Sequence, residues 1–432
     1  MIESSTSQPG LLRSIRGWDL VAVVINGVIG AGIFGLPAKA YALAGDYSLL
    51  AFGLCAICVV VVILSFTEVG SRFSASGGPY LYAREAFGRG AGFTVGWLVW
   101  IARVSAFAAN STVLLAYLAY FLPAASGTVA RTLLMTAVVA SIAVLNIRGV
   151  RVAANVSNAF GFGKLIPLGV FVVVGLFAID PSRLSFASPP SYGSFSQAVM
   201  LLVYGFTGFE MAAIPAGEIR DPQRILPRAL LAGIAVVVTF YVLIQAVCIG
   251  TLPGLASSDR PLAEAASRFL GPAGAVLIMA GVLISLAGNL NILTLSASRL
   301  LFAMGENGDL PPALASVHPV RRTPVPAIFL TSVAMLALTL SGTFVYLITV
   351  STLSRLVAYL ATCGALPVLR RKPSVAPPAF RLRAGVPLAA AGVAVCLWLL
   401  SNSTPREARD TALAAIAGLA LHWLHRARKA KV

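Results

Sequence analysis

The chain alternates long apolar stretches with short polar segments that carry most of its charges. Each stretch is close to the roughly 20 helical residues needed to cross the hydrocarbon core of a membrane. The pattern predicts about twelve spans, at 19–37, 48–70, 92–122, 130–147, 156–179, 195–217, 228–251, 272–303, 325–342, 344–369, 385–401 and 410–425. We therefore expect an all-α membrane protein.

Two of these stretches are interrupted by glycine. The first breaks at Asn26–Gly32 and the sixth at Tyr204–Glu210. Irregular backbone at membrane depth survives only where protein or a water-filled cavity satisfies its polar groups, because lipid offers no hydrogen-bond partner. Paired breaks at corresponding places in two halves are typical of the binding site of a secondary transporter.

The breaks also suggest how the chain is organised. If spans 1–5 (19–179) and 6–10 (195–369) are two repeats, the broken helix comes first in each, and the odd number of spans inverts the second repeat. Spans 11 and 12 (385–425) then lie at the periphery, after a basic loop at 370–384. Short tails at 1–18 and 426–432 complete the chain.

Composition agrees with a membrane protein, since 58% of the residues are hydrophobic and 11% are charged, against about 25% charged in soluble domains. The net charge of +17 follows the predicted loops. With the N-terminus in the cytoplasm, inside loops hold 21 of the 32 Lys and Arg residues, outside loops 7 and the spans 4. This positive-inside bias predicts a plasma-membrane protein with both termini cytoplasmic. It calls for a lipid bilayer as partner and for no nucleic acid.

Other motifs do not support an enzyme, a metal or a cofactor. Cys55 and Cys58 form a C-x-x-C, but no second pair or nearby His completes a metal site, so we expect small apolar filler. The glycines of Gly30–Gly35 fit a dinucleotide pattern, yet that fingerprint needs a preceding strand and an acid about 20 residues later.

Unpaired backbone groups at the breaks suit an α-amino acid. Amides at the start of a half-helix would bind a carboxylate, and carbonyls freed by the second break would bind an ammonium group. The alternative is that the glycines only allow close helix packing. The predicted substrate contacts are Ile29, Gly30, Ala31, Gly32, Ile33, Tyr204, Gly205, Phe206, Thr207 and Gly208, with Tyr204 either a lid over the ligand or a packing residue.

Several polar residues lie within the spans. Lys164 lies about 13 Å deep, counting 1.5 Å per residue from Asn155. An intramembrane Lys is a functional candidate by default, and here it is expected to replace a coupling cation and to exchange a proton; the alternative is snorkelling to the interface. Glu210 is expected to act in gating or to satisfy unwound amides. Ser285 and Asn289 are candidates for the cavity wall.

Arginines within or beside the spans are harder to assign. Glu68 and Arg299 are predicted to form an ion pair at an inner gate, because both lie near the cytoplasmic ends of their spans. Arg103 and Arg355 have no predictable partner, and we expect each to hold helices together rather than to contact the substrate.

The chain resembles the amino acid–polyamine–organocation (APC) superfamily of permeases. The resemblance rests on an ordered set of motifs over about the first 370 residues: Ile29–Pro37, Ser76–Tyr80, Gly205–Glu210, Ser298–Met304 and Asn307–Pro311. It implies a LeuT-like 5+5 inverted repeat with alternating access and a substrate between spans 1 and 6. It also implies that Lys164 takes the role of a sodium ion, which favours proton coupling or exchange.

The sequence departs from the superfamily in two places. Glu306-Asn307-Gly308 stands where Arg-Asp-Gly is frequent, so the inner-loop ion pairs are expected to differ. Tyr204 stands where members carry Trp or a smaller residue, which puts aromatic gating in doubt.

Alternatives to an amino acid permease remain at this stage. A polyamine or organic-cation carrier would need more acids in its pocket than Glu210 alone. A non-transporting sensor would be expected to add a sizeable soluble domain. Side-chain specificity cannot be predicted, because helical phase is not readable in all-apolar helices.

Overall fold

The computed structural model describes residues 12–121, 127–341, 344–403 and 405–429. Residues 1–11 and 430–432 of the two predicted tails lie outside the described part, as do residues 122 and 342 at the ends of two predicted spans. Within the described ranges the chain is helical and contains no strand; its one β-bridge joins Ile15 to Ile219.

Helices coincide with the apolar stretches. The first half of the chain contains α1 (Gly17–Val28), α2 (Gly32–Ala44), α3 (Ser48–Gly70), α4 (Pro79–Phe87), α5 (Arg89–Phe121), α6 (Thr128–Arg148), α7 (Val150–Gly163) and α8 (Leu165–Phe177). The second half contains α9 (Tyr192–Phe206), α10 (Pro222–Thr251), α11 (Pro261–Glu306), α12 (Val325–Ser341), α13 (Phe344–Arg370), α14 (Gly385–Ser401) and α15 (Pro405–Lys429).

Both predicted breaks are present. The first stretch is divided between α1 and α2, because Ile29 leaves the helix with ψ 87°. The sixth stretch ends as an α-helix at Phe206 and continues as 3₁₀ turns over Phe209–Ala213 and Ala216–Glu218. Gly208, between the two parts, has a φ of +117° that glycine adopts readily.

Two other helical stretches are interrupted at identifiable residues. α7 and α8 meet at Lys164, and Pro167 has no N–H to continue the bonding of the preceding turn. α11 bends at Gly271, where φ is +67° and Pro272 follows.

The core is built around α5, which packs against α11 and α13. α1 packs against α10, and α2 packs against α9, so the two halves of the broken stretches are held inside the bundle. α14 contacts α13 and α3, and α15 contacts α5 and α13. Much of the surface of α15 is exposed.

Length and composition support membrane insertion. Among the described residues, seven helical segments are long and apolar enough to cross a membrane: Gly32–Gly70, Arg89–Leu115, Val129–Arg148, Arg151–Phe177, Pro222–Thr251, Pro261–Glu306 and Val350–Arg370. α1, α12 and α14 are apolar but shorter.

Candidate functional site

The two breaks contact each other through glycine. A Cβ placed on Gly27 would lie 2.7 Å from the carbonyl oxygen of Gly208, and one placed on Gly208 would lie closer still to that of Gly27. A Cβ on Gly32 would lie 3.0 Å from the Cα of Gly205. The glycines therefore do allow close packing, as the alternative interpretation expects, and the close packing joins the two irregular segments.

Side chains from other helices satisfy the carbonyls at the end of α1. Asn289 Nδ2 donates to Asn26 O at 2.6 Å and to Gly27 O at 3.1 Å. The Tyr241 hydroxyl lies 3.1 Å from Val28 O and 3.0 Å from Gly205 O. Tyr241, which was not predicted from the sequence, thus lies within hydrogen-bond distance of both breaks, with one proton to donate to either carbonyl.

The carbonyls at the end of α9 are less open than expected. Gly205 O has Tyr241 as a partner, and Tyr204 O accepts from the Thr207 hydroxyl at 2.8 Å and from the Thr207 amide at 3.3 Å. The expectation that these carbonyls stand free is therefore wrong for Tyr204. The reason is local, because Thr207 bonds back to its own helix end. Gly205 O retains a second lone pair.

The amides of the first break divide into two groups. Gly30 N donates to Val28 O at 2.9 Å, and Ala31 N lies 3.4 Å from the Asn110 side-chain oxygen. α2 begins at Gly32, so the amides of its first turn, at Gly32 and Ile33, have no partner within the helix. The positive end of the helix dipole lies at the same place.

A small cavity of about 20 Å³, room for little more than a water molecule, lies where these groups meet. Its lining residues are Gly27, Val28, Gly30, Ala31, Gly32, Ala106, Asn110, Tyr204, Thr207, Met211, Asn289 and Arg355. The cavity is far smaller than the roughly 300–1,000 Å³ pockets that hold drug-sized ligands, so it has to widen before it admits a solute.

The predicted contacts divide between the wall and the layer behind it. Gly30, Ala31, Gly32, Tyr204, Thr207 and Asn289 line the cavity, whereas Ile29, Ile33, Gly205, Phe206, Gly208 and Ser285 do not. Phe206 instead packs against Tyr241, with ring centroids 4.9 Å apart. Asn110 and Met211 were not predicted as contacts from the sequence, and Arg355 was not predicted to line the cavity.

Lys164 lies behind the first break and is fully buried. Its Nζ is 2.7 Å from Ile29 O and 3.4 Å from Ser285 O, and the Ser285 hydroxyl donates to Ile29 O at 3.0 Å. The side chain points into the bundle, so it does not snorkel to an interface. Ser285 contributes to this cluster rather than to the cavity wall.

Glu210 occupies the centre of a buried charge cluster. Its Oε1 lies 2.6 Å from Arg103 Nη1 and 3.6 Å from Arg355 Nε. Its Oε2 accepts from the Tyr359 hydroxyl at 2.6 Å and from the Gly208 amide at 2.9 Å. Glu210 thus accepts a hydrogen bond from the backbone amide of Gly208 in the break, as one of its two predicted roles requires. It is also the ion-pair partner of Arg103 and Arg355, for which no partner was predicted.

The predicted ion pair between Glu68 and Arg299 is wrong. Glu68 binds Arg370 through two contacts of 2.7 Å, while Arg299 Nε lies 3.2 Å from Glu218 Oε2. The ends of α3 and α13 are neighbours, and the segment before α10 passes beside α11. The sequence shows that a residue lies near the end of a helix, but it does not show which helix ends are adjacent in the fold.

Two of the sequence motifs meet next to these pairs. The Tyr80 hydroxyl donates to Asp309 at 2.6 Å, and Arg84 and Arg89 each lie 3.6 Å from the same carboxylate. Burial, followed by the hydrogen bond to Asp309, raises the pKa of Tyr80, so this phenol stays protonated and donates. We call this region, with Glu68–Arg370 and Arg299–Glu218, the α4 end of the bundle.

An all-helical bundle of membrane-length helices, with two irregular segments enclosing a small polar cavity, defines a polytopic membrane transporter. The family model described as "Amino acid permease" matches residues 15–412. The chain therefore belongs to the amino acid permease family of the APC superfamily. It is a multi-pass membrane protein that transports a small molecule, and it is not an enzyme.

Curated relatives agree with this assignment. The chain is 29% identical to the serine/threonine exchanger SteT of Bacillus subtilis, over 78% of this chain and 79% of the relative. It is 27% identical to the branched-chain amino acid permease BcaP of the same organism, over 93% and 90%. It is 26% identical to the methylthioribose transporter of that organism, over 92% and 90%.

Proposed function

We propose that this chain is a secondary active amino acid permease that works by alternating access. The observation that carries the proposal is the single cavity faced by the first turn of α2 and by the end of α9. The positive end of the α2 dipole and the negative end of the α9 dipole would then both face one small ligand.

An α-amino acid matches these two ends. Its carboxylate would accept from the amide of Gly32, which lines the cavity and has no partner within α2. Its ammonium group would approach the carbonyl end of α9 beside Tyr204 and Thr207, which also line the cavity. Tyr204 lies on the wall between the two and would close over the ligand.

The fold that this mechanism needs is a LeuT-like 5+5 inverted repeat with about twelve spans. It is supported by the matching breaks of the first and sixth stretches and by the agreement between helices and predicted spans. α14 and α15 would be the two helices outside the repeat. The α4 end, which is rich in arginine, would face the cytoplasm of a plasma-membrane protein, with both termini on that side.

Sodium independence follows from Lys164. Its ammonium group lies 2.7 Å from Ile29 O, against the backbone carbonyl that a bound cation would use. Transport would then be coupled to protons or proceed by exchange. The ion pairs of the α4 end, through Glu68 and Arg299, would close the inner side, and the Glu210 cluster would link this gate to the cavity.

A polyamine or other organic-cation carrier is less compatible with the cavity. The charged side chain among the described lining residues is Arg355, a cation, and Glu210 lies behind the wall with its oxygens already bonded. An ammonium-rich ligand would meet repulsion there.

Uptake into liposomes tests the proposal. Purified protein would be reconstituted and offered each of the twenty amino acids, putrescine and spermidine, with an imposed proton or sodium gradient. We expect uptake of at least one amino acid that responds to the proton gradient or to a preloaded amino acid. Transport of polyamines alone, or dependence on sodium, would contradict it.

A further inference from the structure

Positive charge is in excess around Glu210. Two guanidinium groups, Arg103 and Arg355, face one carboxylate, and all three side chains are buried. Glu210 uses Oε1 for Arg103 and Oε2 for Tyr359 and the Gly208 amide. Arg355 lies within 3.6 Å of the same carboxylate, so two guanidinium groups share one negative charge.

Arg355 is the more weakly paired of the two guanidinium groups, since its Nε lies 3.6 Å from Glu210 whereas Arg103 Nη1 lies at 2.6 Å. Its Nη1 contacts the Thr207 hydroxyl, a neutral group. Its Nε makes no hydrogen bond within the described part of the structure, and the same holds for Nε and Nη2 of Arg103. Because an arginine stays charged in a protein, this buried cation shares the single carboxylate of Glu210 with Arg103.

The same side chain forms part of the cavity wall, whereas Arg103 does not. Of the lining residues that the structure describes, Arg355 alone carries a formal charge. A buried charge that shares its counter-ion with a second cation is costly, and the cost falls when another carboxylate of suitable geometry binds. Guanidinium groups favour carboxylates because two parallel N–H donors match two oxygens.

The first turn of α2 and Arg355 on α13 give the cavity two separate places for negative charge. We propose that the substrate is an amino acid with two carboxylates, of the aspartate and glutamate class. Its α-carboxylate binds the amides of α2, and its side-chain carboxylate binds Arg355. This inference rests on the proposed function and names the substrate class of that site.

The first test needs no variant. Proteoliposomes of the full chain would be given L-glutamate, L-aspartate and their uncharged isosteres L-glutamine and L-asparagine, with L-leucine as an apolar reference. We expect the acids to enter at least tenfold faster than the amides at equal concentration, because the amide offers Arg355 no carboxylate. Equal or faster entry of the amides or of leucine would overturn the inference and leave the amino acid permease intact. Uptake of no amino acid would instead overturn the proposed function.

The second test changes the residue. Arg355→Gln should lower uptake of the acid at least tenfold and leave uptake of the matching amide unchanged or higher, and Arg355→Lys should fall between. Arg131→Gln, at an exposed site on α6, is the matched control and should behave as wild type. An equal loss for acid and amide in a folded Arg355→Gln protein would overturn the role of Arg355. Gel filtration and thermal melting check folding, and Arg355→Lys provides the readout if Arg355→Gln does not fold.

Discussion

Individual residues decide whether the two breaks can meet. Gly27 and Gly208 approach so closely that neither tolerates a side chain, and Gly208 also needs a positive φ. Lys164 also contacts the first break, since its Nζ lies 2.7 Å from the carbonyl oxygen of Ile29. A glycine contact on one side and a buried ammonium group on the other thus hold the break between α1 and α2, where Ile29 leaves the helix.

Substitution of Gly208 tests the contact. Gly208→Ala should destabilise the protein by about 1–3 kcal/mol through backbone strain alone, with the collision against Gly27 O added. Gly35→Ala is the matched control, because its Cβ would meet nothing within 4 Å and alanine favours the helix. Thermal melting in detergent measures both. Equal melting temperatures for the two variants would mean that the breaks do not touch as described.

Substitution of Lys164 tests the coupling. Lys164→Met keeps an unbranched side chain, one atom shorter, and removes the ammonium group from Ile29 O, so stimulation of uptake by a proton gradient should disappear while substrate binding persists. Lys39→Met, at an exposed site on α2, is the control. Uptake at several imposed pH gradients and binding by thermal shift give the two readouts. Unchanged stimulation in Lys164→Met would remove this residue from coupling.

At the scale of helices, the length of an apolar stretch predicted its helix, and clustered glycines predicted the breaks. The stretch at 48–70 matches α3 (Ser48–Gly70), and the breaks fall where glycines cluster. Neighbours across the bundle could not be predicted, because helices that are apolar on every side carry no signal of rotation. Glu68 therefore pairs with Arg370, and Arg299 with Glu218, against expectation. For the same reason Arg355 could not be assigned to the cavity from sequence.

The pair between Arg299 and Glu218 ties α11 to the segment before α10, and both side chains are fully buried. Removing one partner leaves the other charge buried without a counter-charge, so Arg299→Met should lower the free energy of unfolding by about 3–5 kcal/mol. The double variant Arg299→Met, Glu218→Met should recover most of this loss, because it removes both charges. Arg224→Met breaks an exposed pair with Asp221 and should cost less than about 1 kcal/mol. A double variant no more stable than Arg299→Met would show that the charges are not coupled.

At the scale of the whole molecule, basic residues and ion pairs are both concentrated at the same end of the bundle, the α4 end. The α4 end gathers Arg84, Arg89 and Arg370 around acids, and the segments beside it carry further exposed arginines. The opposite end has fewer. This asymmetry is the physical basis for orienting the bundle with the α4 end in the cytoplasm.

Cysteine labelling in intact cells tests that orientation, and the native chain offers a low background because its five cysteines are buried thiols. Ala256→Cys lies in an exposed loop between α10 and α11, and Ser374→Cys lies in the exposed basic loop after α13. An impermeant maleimide should label Ala256→Cys in intact cells, and Ser374→Cys only after permeabilisation. Labelling of both in intact cells would contradict a span count that separates the two loops, and the reverse order would invert the proposed topology. Because an inverted bundle would turn the arginine-rich end outward, against the positive-inside rule, we expect the first pattern.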